Sequence, residues 1–337
     1  MKKKIIIILS LLGIGLFVNL IVKIGLVTIW NTVRNISPRY FLVLLLIRFV
    51  FWIIRTLNWK IIMEKCDIRL PFWRIFRARL AGFAVNYLTP SANIGGEAAR
   101  IMLVNNKSNK NALASVILDK TIELIATVFF VMTAVAIAIY TIPMPMTQKY
   151  IYAGFVLFSL VSMVFILGKQ RQGLLKWIIS KLEKVKISFK FIRNNMDKIK
   201  EVDDNISGFY RESRRSFIAV FFLYSVQILV WAVEIYFTLQ FLGFSEITFL
   251  KSFLIVTLGS IAFLMPVLPG GIGVYELTYL TIFELLGLST TVCMALVITR
   301  RVIALIFAGT GLLFLASAGT SKPTIEDNSG IQSLEGI

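Results

Sequence analysis

Pro90-Ser91-Ala92-Asn93-Ile94-Gly95-Gly96-Glu97 and Pro269-Gly270-Gly271-Ile272-Gly273-Val274-Tyr275-Glu276 each place a glutamate seven positions after a proline, across glycines, inside otherwise apolar chain. Helix-breaking residues are tolerated at bilayer depth only where the freed backbone groups are buried in protein or line a polar cavity. Paired interruptions of this kind in the two halves of a membrane protein point to a transport site. The two stretches read as one interrupted membrane element used twice.

The surrounding chain is too apolar for a soluble globule. Apolar residues make up 57% of the 337 and charged residues 16%, and the mean hydropathy is +0.81. Runs of about 20 residues, long enough to span a bilayer, occur at 5–30, 40–62, 111–140, 150–168, 216–242 and 288–316. Shorter ones lie at 80–89, 252–268 and 272–287. Lys2, Lys3 and Lys4 resemble the start of a signal peptide, but the run after them continues without an Ala-x-Ala cleavage pattern and reads as a retained first span.

The net charge of +18 sits in loops beside spans and matches no nucleic-acid motif, so nucleic acid is not expected as a partner. It fits the positive-inside bias and attraction to anionic lipid. With no histidine, Ser-His-Asp triads, His-based proton transfer and His-ligated metals are excluded. Cys66 and Cys293, the two cysteines, indicate neither a disulfide framework nor a metal cluster. Gly270-Gly271-Ile272-Gly273 lacks the Lys-Ser/Thr of a phosphate-binding loop and the strand context of a dinucleotide fold. No cofactor, metal or enzymatic activity is expected.

Basic loops place the cytoplasmic side. The segment 169–215 is the most basic, and 60–79 carries Lys60, Lys65, Arg69, Arg74, Arg77 and Arg79. If both lie inside, an even number of crossings separates them, so one of the three intervening apolar segments cannot cross. The stretch 80–99, broken by Pro90 and glycines, is read as a re-entrant hairpin from the cytoplasmic side. The pair 252–268 and 272–287 is read as a second hairpin entering from the opposite side, the mark of an inverted repeat. The N-terminus and 169–215 are expected in the cytoplasm. The segment 169–215 has two amphipathic stretches, one through Leu174, Ile178 and Leu182, the other through Phe189, Met196, Val202 and Ile206. They read either as helices on the inner leaflet or as a helical hairpin packed beneath the spans.

Ionisable side chains inside spans are costly and need partners or a wet cavity. Arg48 and Arg55 lie seven apart on one face of the second span; Asp119 and Glu123 share a face; Glu234, Arg300 and Arg301 lie deep in later spans. Arginines and glycine-opened helix starts both suit a phosphate. The expected headgroup site is therefore Arg48, Arg55 and Arg300 with Gly95, Gly96, Gly270, Gly271 and Gly273. Glu97, Asp119, Glu123 and Glu276 are expected to gate it or couple protons.

At these residues the chain resembles the flippase-like membrane domain family, which forms the transmembrane part of bacterial lysylphosphatidylglycerol synthases and also stands alone in bacteria and archaea. The resemblance runs to about residue 316. It is carried by Asn86-Tyr87-Leu88-Thr89-Pro90, Gly95-Gly96-Glu97-Ala98-Ala99-Arg100, Ala114-Ser115-Val116 before Asp119-Lys120 and Glu123, the second glycine stretch with Leu268 before it, Gly287 and Arg300. Where relatives show Glu-Arg before a later Asp, this chain has Asp119-Lys120 and Glu123. The resemblance implies translocation of a lipid or lipid-linked intermediate between leaflets.

Together these features give an all-α polytopic membrane protein with about six full spans and two re-entrant hairpins, a membrane domain over 1–316 and a disordered tail over 317–337. The expected role is a flippase for an anionic phospholipid or polyprenyl-phosphate carrier in the cell membrane, with anionic lipids as partners. A second copy of the chain or an envelope-building complex is the protein partner left open. The alternatives are a membrane-embedded transferase on a lipid-linked substrate, or an accessory subunit of such a complex.

Overall fold

The computed structural model describes residues 36–89, 94–104, 109–143, 145–184, 196–261 and 273–320. The expected first span, the tail beyond 320, Gly270 and Gly271 lie outside them. Eleven helices form in the described residues: α1 Pro38–Lys65, α2 Phe72–Leu88, α3 Ile94–Leu103, α4 Asn109–Thr141, α5 Met146–Gln172, α6 Leu174–Lys184, α7 Met196–Glu212, α8 Arg214–Phe241, α9 Phe249–Gly259, α10 Val274–Leu285 and α11 Thr290–Thr320. Five of these, α1, α4, α5, α8 and α11, are long and apolar enough to cross a membrane. They coincide with five of the six expected spans.

One order of elements occurs twice: a long helix, a short helix, a Pro/Gly break, a short helix and a long helix, as α1–α4 and as α8–α11. The caps repeat as well. In α1 the Ile68 N–H reaches the Met63 carbonyl at 2.9 Å, and in α8 the Phe244 N–H reaches the Leu239 carbonyl at 3.0 Å. Both closures satisfy late helix carbonyls through a residue in the left-handed region, Asp67 (φ 57°) and Gly243 (φ 92°) respectively.

The corresponding helices α1 and α8 run antiparallel. Tyr40 stacks on Phe241 at 4.2 Å, Phe51 meets Trp231 edge-on at 5.9 Å, and between them Arg48 pairs with Glu234. At one end of the bundle Ile62 and Cys66 of α1 pack with Ala114 and Leu118 of α4 and Tyr224 of α8. The intervening α2 and α3 therefore leave and return at that end. The other pair belongs to the opposite end, where Leu239, Ile247, Val292 and Cys293 share a core with Val131 and Val135 of α4.

Backbone contacts that admit no side chain join the halves and close the first of them. A Cβ on Gly311 of α11 would stand 2.2 Å from the Leu80 carbonyl of α2, and one on Gly96 of α3 would stand 2.0 Å from the Gly82 carbonyl. Small residues allow this approach, and dispersion contact between tightly packed helices stabilises the assembly where lipid offers no hydrophobic drive.

One expectation is corrected and one left open is decided. The basic stretch 60–79 is largely helix rather than loop, because α2 begins at Phe72, and Arg79 is buried. For 169–215, read either as leaflet helices or as a hairpin packed beneath the spans, the structure decides the part that forms α7. Val202, Ile206, Phe209 and Tyr210 of α7 are buried against α1, α4 and α8, so α7 packs beneath the spans. Asp203, itself buried, caps α6 by accepting the N–H groups of Leu175 and Lys176, each at 3.0 Å. It thereby satisfies donors that a helix start leaves free.

Candidate functional site

The buried charges of the first half converge on Asp119. Arg79 grips it with two prongs, Nη1 to Oδ2 at 3.0 Å and Nη2 to Oδ1 at 2.8 Å. Arg100 Nη2 adds a bond to Oδ2 at 2.8 Å, and the Tyr224 hydroxyl donates to Oδ1 at 2.6 Å. Each carboxylate oxygen thus accepts two hydrogen bonds, which fills its capacity. Trp59 lies against the Arg100 guanidinium at 3.9 Å. From Arg100 the network runs to Glu97 at 2.6 Å, through Lys120 at 3.2 Å to both Glu97 and Glu123, and on to Arg55 at 2.5 Å from Glu123.

The second cluster centres on Glu234, which is fully buried. Arg48 Nη2 stands 2.5 Å from its Oε1, and Arg300 Nε stands 3.9 Å from the same oxygen, too far for a hydrogen bond. Arg300 Nη1 donates to the Tyr279 hydroxyl at 2.6 Å. Its guanidinium lies 4.9 Å from the Trp231 ring centre, 5.9 Å from Tyr275 and 5.6 Å from Tyr279. Arg301 Nε reaches Glu276 Oε1 at 2.7 Å, while Glu276 Oε2 accepts the Gly273 N–H at 2.7 Å.

The two clusters share one register. Glu97 and Glu276 each stand in the first turn of the second short helix. Three positions on, Arg100 and Tyr279 reach the following long helix, at Asp119 and Arg300 respectively. The next residue of that helix, Lys120 or Arg301, pairs with the glutamate. Arg55 precedes Glu97 by 42 positions, and Glu234 precedes Glu276 by the same 42. A glycine in the first short helix makes room in each half: Gly82 lies under Arg100 and Gly259 under the Tyr279 ring.

Several expected site residues stand elsewhere than foreseen. Arg48 and Arg55 do not act on one target, because Arg48 turns to Glu234 and Arg55 to Glu123. Asp119 and Glu123 likewise take different partners. Two of the glycine N–H groups expected to cradle an anion, those of Gly96 and Gly273, are used within the chain. The Gly96 N–H donates to Asn86 Oδ1 at 2.6 Å, and the Gly273 N–H goes to Glu276; Gly95 lies in the same first turn of α3 as Glu97. Glu97 and Glu276 each meet cations of their own half. The role of Arg79, Tyr224, Trp231 and Tyr279 was not foreseen from sequence. Arg79 looked like one more loop cation, though its place just before the apolar run 80–89 is a signal that it could be drawn inward.

Buried, internally paired charges inside long apolar helices define a polytopic α-helical membrane protein with a polar interior. The chain belongs to the family described as the lysylphosphatidylglycerol synthase TM region, which it matches over residues 5–310. It is similar to UPF0104 membrane proteins of three archaea. That of Pyrococcus horikoshii is 28% identical over 90% of this chain and 93% of its own length. That of Methanothermobacter thermautotrophicus is 24% identical over 88% and 90%, and that of Methanocaldococcus jannaschii 22% over 90% and 91%. No solved structure matches the chain.

Proposed function

We propose that this protein moves an anionic lipid headgroup between membrane leaflets, through a site formed by Arg48, Arg300 and the rings around them. The observation that carries the reading is the difference between the two clusters. Asp119 is saturated, so the first cluster acts as a lock that fixes α2, α3, α4 and α8 together. Around Glu234, the buried Arg300 and the part-buried Arg48 share one carboxylate oxygen while the other oxygen has no hydrogen-bond partner among the described residues, so two guanidiniums rest on a single acceptor, the arrangement that receives a phosphate.

We read the two halves as an inverted repeat. The repeated element order, the antiparallel run of α1 against α8 and the common register of the two clusters all fit it. In this view α2–α3 and α9–α10 are re-entrant pairs entering from opposite sides, and two related halves rocking about a shared centre give alternating access. The protein acts as a transporter rather than an enzyme. It sits in the cell membrane with α6, α7 and the N-terminus in the cytoplasm.

Native mass spectrometry of the purified protein tests the reading. Anionic lipid should be retained by wild type and lost from Arg300→Met and Arg48→Met proteins of unchanged secondary structure. Equal lipid retention in all three would contradict it.

A further inference from the structure

The half-used carboxylate at the centre of the second cluster has a use of its own. Of the two Glu234 oxygens, Oε1 meets both arginines while Oε2 is buried with no hydrogen-bond partner among the described residues. Nε of Arg48 and Nε of Arg300 are likewise buried without an acceptor. Leaving such groups unmatched away from water is costly. Around Asp119, Nε of Arg79 and Nε of Arg100 are also buried without an acceptor, but the two Asp119 oxygens accept four bonds, so the idle carboxylate oxygen is what sets the second cluster apart.

Resting on the reading that Arg48 and Arg300 receive a headgroup, we propose that Glu234 is a tethered stand-in for the lipid phosphate and yields the arginines when an anionic phosphodiester enters. A phosphodiester offers two charged oxygens and further acceptors, enough for the donors that one carboxylate oxygen leaves idle. Charge points to the same class. Arg301 is matched by Glu276, so Arg48, Arg300 and Glu234 together keep one positive charge, which a singly charged phosphodiester neutralises. A doubly charged phosphomonoester overshoots.

The rings keep the site ready. Arg48 lies 5.1 Å from the Phe51 ring centre, and Trp231 lies against both guanidiniums, at 6.0 Å and 4.9 Å. Cation–π contact holds both planes while the carboxylate leaves. The stand-in keeps the site from remaining an empty pair of buried cations between transport events.

The test is thermal stability and lipid binding of Glu234→Gln in mixed micelles containing phosphatidylglycerol, phosphatidylcholine or phosphatidic acid. Expected is a variant less stable than wild type in phosphatidylcholine, restored by phosphatidylglycerol, with phosphatidylglycerol affinity raised at least tenfold; wild type should prefer phosphatidylglycerol to phosphatidic acid, and the variant, whose two arginines then carry two uncompensated charges, should lose that preference. Should the amide variant not survive extraction, Glu234→Asp keeps the charge on a shorter arm and should show the same preference with a smaller gain. No gain in affinity, or a stability deficit that saturating phosphatidylglycerol leaves in place, overturns the stand-in. If Arg300→Met loses phosphatidylglycerol while Glu234→Gln gains nothing, the stand-in fails and the headgroup reading remains. If neither Arg300→Met nor Arg48→Met changes binding, the headgroup reading fails with it.

Discussion

Arg79 and Asp119 meet in a two-pronged ion pair of 2.8 Å and 3.0 Å between helices 40 positions apart in sequence, with both side chains sealed from solvent. Breaking a buried pair by removing one partner costs about 3 to 5 kcal/mol, because the other charge is left uncompensated. Asp119→Asn should therefore lower the thermal stability of the protein in detergent sharply, in lipid of any headgroup. A variant as stable as wild type would show that this pair does not lock the bundle.

The glycine contact between the halves gives a second expectation. Gly311→Ala drives a methyl group to 2.2 Å from the Leu80 carbonyl, a backbone atom that cannot swing aside. Overpacking of this kind costs about 1 to 3 kcal/mol. Gly208 in α7 has nothing within 4 Å of its Cβ position, so Gly208→Ala should be neutral or stabilising by about 0.5 to 1 kcal/mol, since alanine loses less backbone entropy in a helix. Melting curves of the two variants, measured side by side, should move in opposite directions or differ by several degrees.

Topology is open to thiol labelling. Cys66 is buried, and its thiol is pushed up to about 12, chiefly by burial and further by the nearby Asp67 carboxylate. At neutral pH almost no thiolate is present, so Cys66 should label only after denaturation. In a chain lacking both native cysteines, Lys200→Cys in α7 should resist an impermeant reagent applied to intact cells, whereas Glu246→Cys between α8 and α9 should react. Labelling of Lys200→Cys from outside would reverse the proposed orientation.

The long helices were legible because about 20 consecutive apolar residues have few folded alternatives. The two Pro/Gly breaks marked the short helices for the same local reason. What escaped depends on contacts distant in sequence. The start of α2 was hidden because Arg74, Arg77 and Arg79 depress the hydropathy of its first turns, and Arg79 is compensated by Asp119 of another helix. Arg48 and Arg55 stand in one long apolar helix, α1. Two turns separate them by about 10 Å along the helix, however, so they meet different partners, and a helical wheel does not show depth. The glycines were read as anion donors because sequence does not show that Asn86 and Glu276 take the Gly96 and Gly273 N–H groups.

Leaflet exchange of a fluorescent phosphatidylglycerol in proteoliposomes, followed by quenching of the outer leaflet, tests the central claim most directly. Wild-type protein should accelerate exchange over protein-free liposomes, and Arg300→Met, folded to the same secondary structure, should return it to the protein-free rate. Exchange no faster with wild type than without protein, or equally fast with Arg300→Met, would contradict the account.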